Sequence, residues 1–311
     1  MSVKRQGRPR KTVPDIIKTM LWYRIVADHL QVNSAYALEK HFFPEIFKKG
    51  ENRLAINRPC RWDKYRRGIY VPNKYYVDLV EEECPGTRLW IEHPLWEIIK
   101  QKDSNLVELY NQLSKLRPEV TEILFREAHF GKKKAHIRKN TNEETLKKLT
   151  AICDLDSFTA CIGLIQESDY TDNSLFRPFC SRAAFTIFKN TMAFLPFHHI
   201  ACPLYRYIKP YFINEYIDDA KWIQRVENFN ITKHIELQNY IILYFEDMGV
   251  LGYSSEEQIF FLNIMLDYLG IELINKILVE KYFCTIKEFH HIPEVIKLIR
   301  RLKNWRKTNL H

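Results

Sequence analysis

The chain has 311 residues, 46 % hydrophobic and 27 % charged, a balance that excludes global disorder and suggests about two domains. Glycine is scarce at 9 residues, which favours a mostly α fold over turn-rich β architecture. Of the net charge of +9, residues 1–74 carry +11, from 17 Lys+Arg against 6 Asp+Glu, and the rest carries −2.

Concentrated like charge opposes compaction, so the first quarter points to a polyanionic partner. No stretch reaches the ~20 apolar residues of a membrane span. Residues 1–11 lack the apolar segment of a secretory signal. Seven cysteines with no Cys-x-x-Cys pair suggest neither a disulfide framework nor a zinc ribbon. A reducing, cytoplasmic setting fits, and no metal or other cofactor is expected.

In chain order, residues 1–14 read as a flexible basic arm. A first helix starts at Asp15, which acts as N-cap after Pro14, and carries Ile16, Ile17, Met20, Leu21, Ile25 and Val26 at helical spacing. Ser34 caps a second helix, with Ala35, Leu38 and Phe42 inward and Glu39 toward water. Pro44 ends it, and residues 48–59 form a polar loop. A short third helix over 60–67 stops at Gly68 and Pro72. Helical periodicity resumes over 74–84 and again over 88–100, with a kink at Pro94. Residues 15–117 are read as one module and 118–311 as a larger, all-helical domain.

In the larger domain, helices are expected over 119–130 and 143–153, either side of the basic stretch 132–139. The acidic residues Asp154, Asp156, Glu167, Asp169 and Asp172 read as a solvated connection. A helix over 181–194 precedes an irregular, aromatic segment over 196–213. Four more helices follow at 216–229, 233–248, 255–269 and 271–283, and then a basic amphipathic tail at 293–307. The aromatics between 179 and 261 read as core. No internal repeat is evident.

The pattern with most local information is Trp62-Asp63-Lys64-Tyr65-Arg66-Arg67-Gly68-Ile69-Tyr70-Val71-Pro72. Trp62 and Tyr65 share one helix face, and the cations spread over the others. The result is a short helix, aromatic inside and cationic outside, suited to a DNA major groove. The pattern resembles the end of the recognition helix in Cro- and lambda-repressor-type helix-turn-helix domains. Residues 30–39 resemble that motif's first helix, and residues 43–59 replace its usual short turn. The resemblance covers residues 16–86 and implies DNA binding, with Asn57, Arg58, Arg61, Lys64, Arg66 and Arg67 near the duplex.

Residues 5–11, Arg-Gln-Gly-Arg-Pro-Arg-Lys, resemble an AT-hook, which places Arg5, Arg8, Arg10 and Lys11 in a narrow minor groove. Together the motifs resemble regulatory or accessory proteins of prophages, other mobile elements and antiviral defence loci. The stretches 132–139 and 297–307 could add phosphate contacts. The partner expected is duplex DNA, with a homodimer or protein partner engaged through the larger domain.

Enzyme signatures are weak. His198-His199 and His290-His291 are adjacent, so neither pair chelates from one helix face. Glu122, Glu127 and His129 have no specific metal spacing. No His-Glu-x-x-His, phosphate-binding loop or nucleophile elbow is present. No catalytic residue is assigned. The alternatives kept open are a nucleic-acid-targeted enzyme with an unrecognised helical catalytic domain, and a scaffold of a protein–RNA complex.

Overall fold

The computed structural model describes residues 11–47, 59–100, 105–130, 133–173, 175–194, 196–213, 217, 219–247, 251–252, 257–258, 261, 300–304 and 307–308. Among these the fold is mostly α, with one two-stranded hairpin. The expected helices over 255–269 and 271–283, the His290-His291 pair and most of the basic tail lie outside the described residues.

The N-terminal elements are α1 (Val13–His29), α2 (Ala35–Phe42), a 3₁₀ turn (Pro44–Phe47), α3 (Arg61–Arg66), α4 (Lys74–Glu83) and α5 (Arg88–Ile91). The cap of α1 is Thr12, not Asp15. Asp15 is the N3 residue of a capping box, its carboxylate accepting from the Thr12 backbone at 3.1 Å. Pro14 is tolerated because the first turn needs no backbone donor. The segment 88–100 is two short helices, α5 and α6 (Pro94–Lys100), broken before Pro94.

The larger body holds α6, α7 (Leu106–Leu113), α8 (Pro118–Leu124), β1 (Phe125–Phe130), β2 (Lys133–Arg138), α9 (Glu143–Ile152), α10 (Leu155–Tyr170), α11 (Arg177–Thr191), α12 (Ala201–Phe212), α13 (Ala220–Glu227) and α14 (Ile231–Asp247). The helix expected over 119–130 stops at Leu124. Residues from Phe125 onward pair antiparallel with β2, from Phe125 opposite Arg138 to Phe130 opposite Lys133. Arg138 secures this pairing, donating to the Leu124 and Lys139 carbonyls and to Glu167 on α10.

Most of the acidic stretch 154–172 is not a solvated connection but α10, a deeply buried helix, whereas Asp172 lies beyond it, exposed in a left-handed turn. Asp154 caps α10 in a capping box with Ser157. Three more carboxylates are paired: Asp156 with His93, Glu167 with Arg138 and Asp169 with Arg177. Gly163 lets α7 approach, because a Cβ there would sit 2.7 Å from Leu113. The segment 196–213 is also more regular than expected, a 3₁₀ turn (Phe197–His199) leading into α12. Pro203 falls in the first turn of α12, and Pro210 lies within the helix near its end. Phe185 and Phe188 of α11 pack with Tyr205 and Phe212 of α12, in the core expected of these aromatics, whereas Phe179 is exposed.

Two apolar clusters among the described residues bear on the site. The larger cluster is built on α6 to α14, and the smaller joins α1 to α5. Helix α1 serves both: Ile17 and Leu21 face the body, whereas Trp22, Tyr23, Val26 and Ala27 face α2 and α3. The Asp15 carboxylate also takes a 2.7 Å bond from Lys100 of α6, fastening the N-terminal elements to the body. Burial opposes its charge, but the bonds from Lys100 and Thr12 hold Asp15 well below the usual carboxylate range.

Candidate nucleic-acid interface

The site is organised around α3, whose six residues span about 9 Å. Its inward face is fully committed. The Trp62 ring lies between Trp22 of α1, at 5.6 Å, and Phe42 of α2, at 5.1 Å, in two stacked contacts. Tyr65 meets the edges of both tryptophans. Stacked and edge-on aromatic pairs add directionality to burial, so α1 and α2 hold α3 in one rotation. Burial pushes the Tyr65 hydroxyl up to about 12.

Sequence alone places Glu39 in water, yet it is 1 % exposed. Its carboxylate accepts the Arg61 backbone N–H at 2.9 Å. Cys60, the residue before α3, is left-handed and gives no side-chain cap. Glu39 therefore supplies from α2 the acceptor that the first turn of α3 lacks, where negative charge also suits the helix dipole. This contact ties α2 to α3 across the long connection between them.

The far end of α3 closes in a Schellman motif. The Gly68 N–H donates to Tyr65 O at 2.9 Å, and the Ile69 N–H to Lys64 O at 2.8 Å. Gly68 has φ +64°, and a Cβ on it would lie 2.4 Å from the Ile16 side chain. Backbone conformation and proximity to α1 both require glycine.

The cations expected at DNA take three kinds of position. Arg61 lays its guanidinium over the Tyr76 ring at 4.2 Å. Lys64 reaches Pro59 O at 3.3 Å and lies 4.9 Å from the Tyr70 ring centre. Lys11, at the end of the arm, sits 4.6 Å from the same ring. Tyr70 thus brings the arm's last cation and the α3 lysine together. Arg66 and Arg67 are exposed and meet Asp63 through a 3.8 Å ion pair and a 3.3 Å bond to its carbonyl. Arg5, Arg8, Arg10, Asn57 and Arg58 lie outside the described residues.

Tyr70 is absent from the residues that sequence reading puts at the site. Its position between Gly68 and Pro72 is the signal that could have found it, because the sharp exit turns the chain back across α3. Tyr70, Tyr75 and Tyr36 are exposed on the N-terminal elements, Tyr75 at 62 %.

The other basic stretches differ. Arg138 is consumed internally by Glu167, and Lys139 reaches the Glu122 carbonyl at 2.5 Å. The side chains of Lys132, Lys133, Lys134 and His129 lie outside the described residues. His198 and His199 bring their rings to 3.9 Å, and burial pushes His199 down to about 4. No cluster of His, Cys, Asp and Glu suited to a metal occurs among the described residues. No disulfide joins any two of the six described cysteines, and no described helix is long and apolar enough to cross a membrane. No family model, curated protein or solved structure matches the chain.

Proposed function

We propose that the N-terminal module binds duplex DNA, with the α3 surface against one groove and the arm entering the next. One observation carries this reading: the aromatic face of α3 is locked inside while Lys64, Arg66 and Arg67, joined by Lys11, occupy its outer side. The charge excess of the first quarter supports it.

The short helix sets the mode of binding. About 9 Å of α3 offers few positions for base edges, so phosphate contacts dominate and sequence preference comes mainly from the arm. This assigns the protein to DNA-binding regulatory or accessory roles in the style of Cro- and lambda-repressor-type domains. The larger body would supply self-association or partner binding. The exposed tyrosines favour a second reading, in which bases of a single strand stack on Tyr36, Tyr70 and Tyr75.

Binding to A·T-rich duplex, G·C-rich duplex and RNA across a salt series tests this. Wild type is compared with a chain lacking residues 1–11 and with Arg61→Ala/Lys64→Ala/Arg66→Ala. The proposal expects duplex binding with a steep salt slope, lowered by both changes, and an A·T preference lost with the arm. Tighter binding to RNA than to any duplex selects the second reading. Absence of binding at low salt rejects both.

A further inference from the structure

The root of the arm and the exit of α3 are fixed against the same end of α1. Thr12 caps α1, and Asp15 closes the capping box onto it. Lys100 of α6 holds the Asp15 carboxylate from the body side at 2.7 Å. Gly68 lies against the next residue, Ile16, at a distance that leaves no room for a Cβ. Ile69 is bonded back to the Lys64 carbonyl, and Pro72 is buried. The backbone of Tyr70 is therefore held on both sides, close to where the arm begins.

Tyr70 is 39 % exposed, yet its ring carries two ammonium groups. Lys11 Nζ lies 4.6 Å from the ring centre and Lys64 Nζ 4.9 Å. Lys11 is the residue before the cap of α1, and Lys64 belongs to α3. Two like charges placed so close repel, and long flexible lysine side chains would otherwise swing apart. The negative face of an aromatic ring attracts both. Lys64 also donates to the Pro59 carbonyl, which bears no charge and leaves the ammonium able to meet an anion.

The two grooves of a duplex are separated by one sugar-phosphate strand. An arm in the minor groove and a helix against the adjacent major groove must meet across that strand. Lys11 and Lys64 stand where the arm meets α3, so the crossing falls on them. We propose that Tyr70 is a positioning residue whose ring holds Lys11 and Lys64 together on the backbone strand between the grooves, so that arm and α3 bind as one unit. This rests on the duplex-binding reading above and adds the coupling between its two contacts. An arm tethered at Lys11 starts beside its groove. An arm released from Tyr70 must find that groove from many directions and pays the ordering cost in full.

The test is an anisotropy titration of the full chain with A·T-rich and G·C-rich duplexes at low salt. Tyr70→Leu should weaken A·T-rich binding about fivefold, the combined worth of two exposed cation–π contacts. G·C-rich binding should fall less, because the arm carries the A·T preference. Tyr70→Phe keeps the ring and should restore affinity to within about twofold of wild type. In a Lys11→Ala background, Tyr70→Leu should cost less than about twofold, since the contact it serves is already gone. Thermal unfolding reports whether each variant is folded. Lys11→Ala precedes the α1 cap, so it probes the same coupling without disturbing the helices. With Arg5, Arg8 and Arg10 intact, it should still lower the ratio of A·T-rich to G·C-rich affinity, and an unchanged ratio overturns the proposal. A residue that only supports the fold would weaken both duplexes alike and would act regardless of Lys11. Either of those results, or no effect of Tyr70→Leu on a wild type that binds, overturns the inference and leaves the duplex reading standing. Failure of wild type to bind either duplex rejects both.

Discussion

In the body, two largely buried arginines are consumed by carboxylates inside the structure. Arg138 reaches Glu167 at 2.6 Å with its side chain 12 % exposed, and Arg177 reaches Asp169 at 2.5 Å. In the N-terminal module, Lys64, Arg66 and Arg67 lie on the outer side of a helix whose inner side is aromatic. Acidic and basic residues nearly balance in the body, while the first quarter carries the whole excess. A cation tied to an internal carboxylate has lost its value as a contact for a polyanion, whereas one on an outer face retains it. Local density of lysine and arginine is therefore a weaker guide than where the carboxylates fall in space. The stretch 132–139 is as basic as α3, yet Arg138 within it is structural.

Several perturbations would break or sharpen this contrast. The largest is Trp62→Ala, which removes the ring stacked between Trp22 and Phe42 and should cost ~3–5 kcal/mol. Urea denaturation measures it, and a cost below ~1 kcal/mol would mean that α3 is not held from inside.

Lys189 breaks the body's pattern of pairing. It is buried on α11 with no ion pair to a described carboxylate, and burial with the nearby Arg225 charge pushes it down to about 8. A charged lysine is disfavoured there, so Lys189→Met should stabilise the protein by ~1–3 kcal/mol at pH 7. Thermal unfolding at fixed pH would detect the gain, and destabilisation would show that the ammonium has a partner.

Glu39→Ala should cost ~0.5–2 kcal/mol, the value of a helix cap. Duplex binding should weaken with it, because α3 then frays at its first turn. Unchanged stability would place the cap elsewhere.

A further effect is one of pH. Burial pushes His234 of α14 down to about 3, against 6.5 for the free side chain, with Lys189 adding to the shift. The unfolded chain then takes up a proton before the folded one. Stability contributed by the neutral ring is complete above pH ~6.5 and falls as pH drops toward ~3. His234→Leu should flatten that part of the stability–pH profile, and an unaltered profile would contradict the assignment.

Much of the N-terminal module is legible in the sequence. Ser34 caps α2, Gly68 ends α3, and Trp62 and Tyr65 share the buried face, because each depends on neighbours three or four residues away. What escapes depends on distant partners. Glu39 looks solvent-bound until Arg61, on the far side of the long connection, is placed against it. Asp156, Glu167 and Asp169 look like part of a loop until His93, Arg138 and Arg177 arrive from other elements. Phe125–Phe130 reads as a continuing helix because its apolar spacing suits both periods, and only pairing with Lys133–Arg138 decides it.

The central claim is that the outward cations of α3, rather than basic residues in general, hold the duplex. Its most direct test compares two charge-matched variants across a salt series, Lys64→Ala/Arg66→Ala/Arg67→Ala and Lys147→Ala/Lys148→Ala/Lys209→Ala. The first should weaken duplex binding and lower the salt slope by about one for each phosphate contact removed, while the second leaves both near wild type. Equal losses in the two variants, or an unchanged slope in the first, would contradict the account.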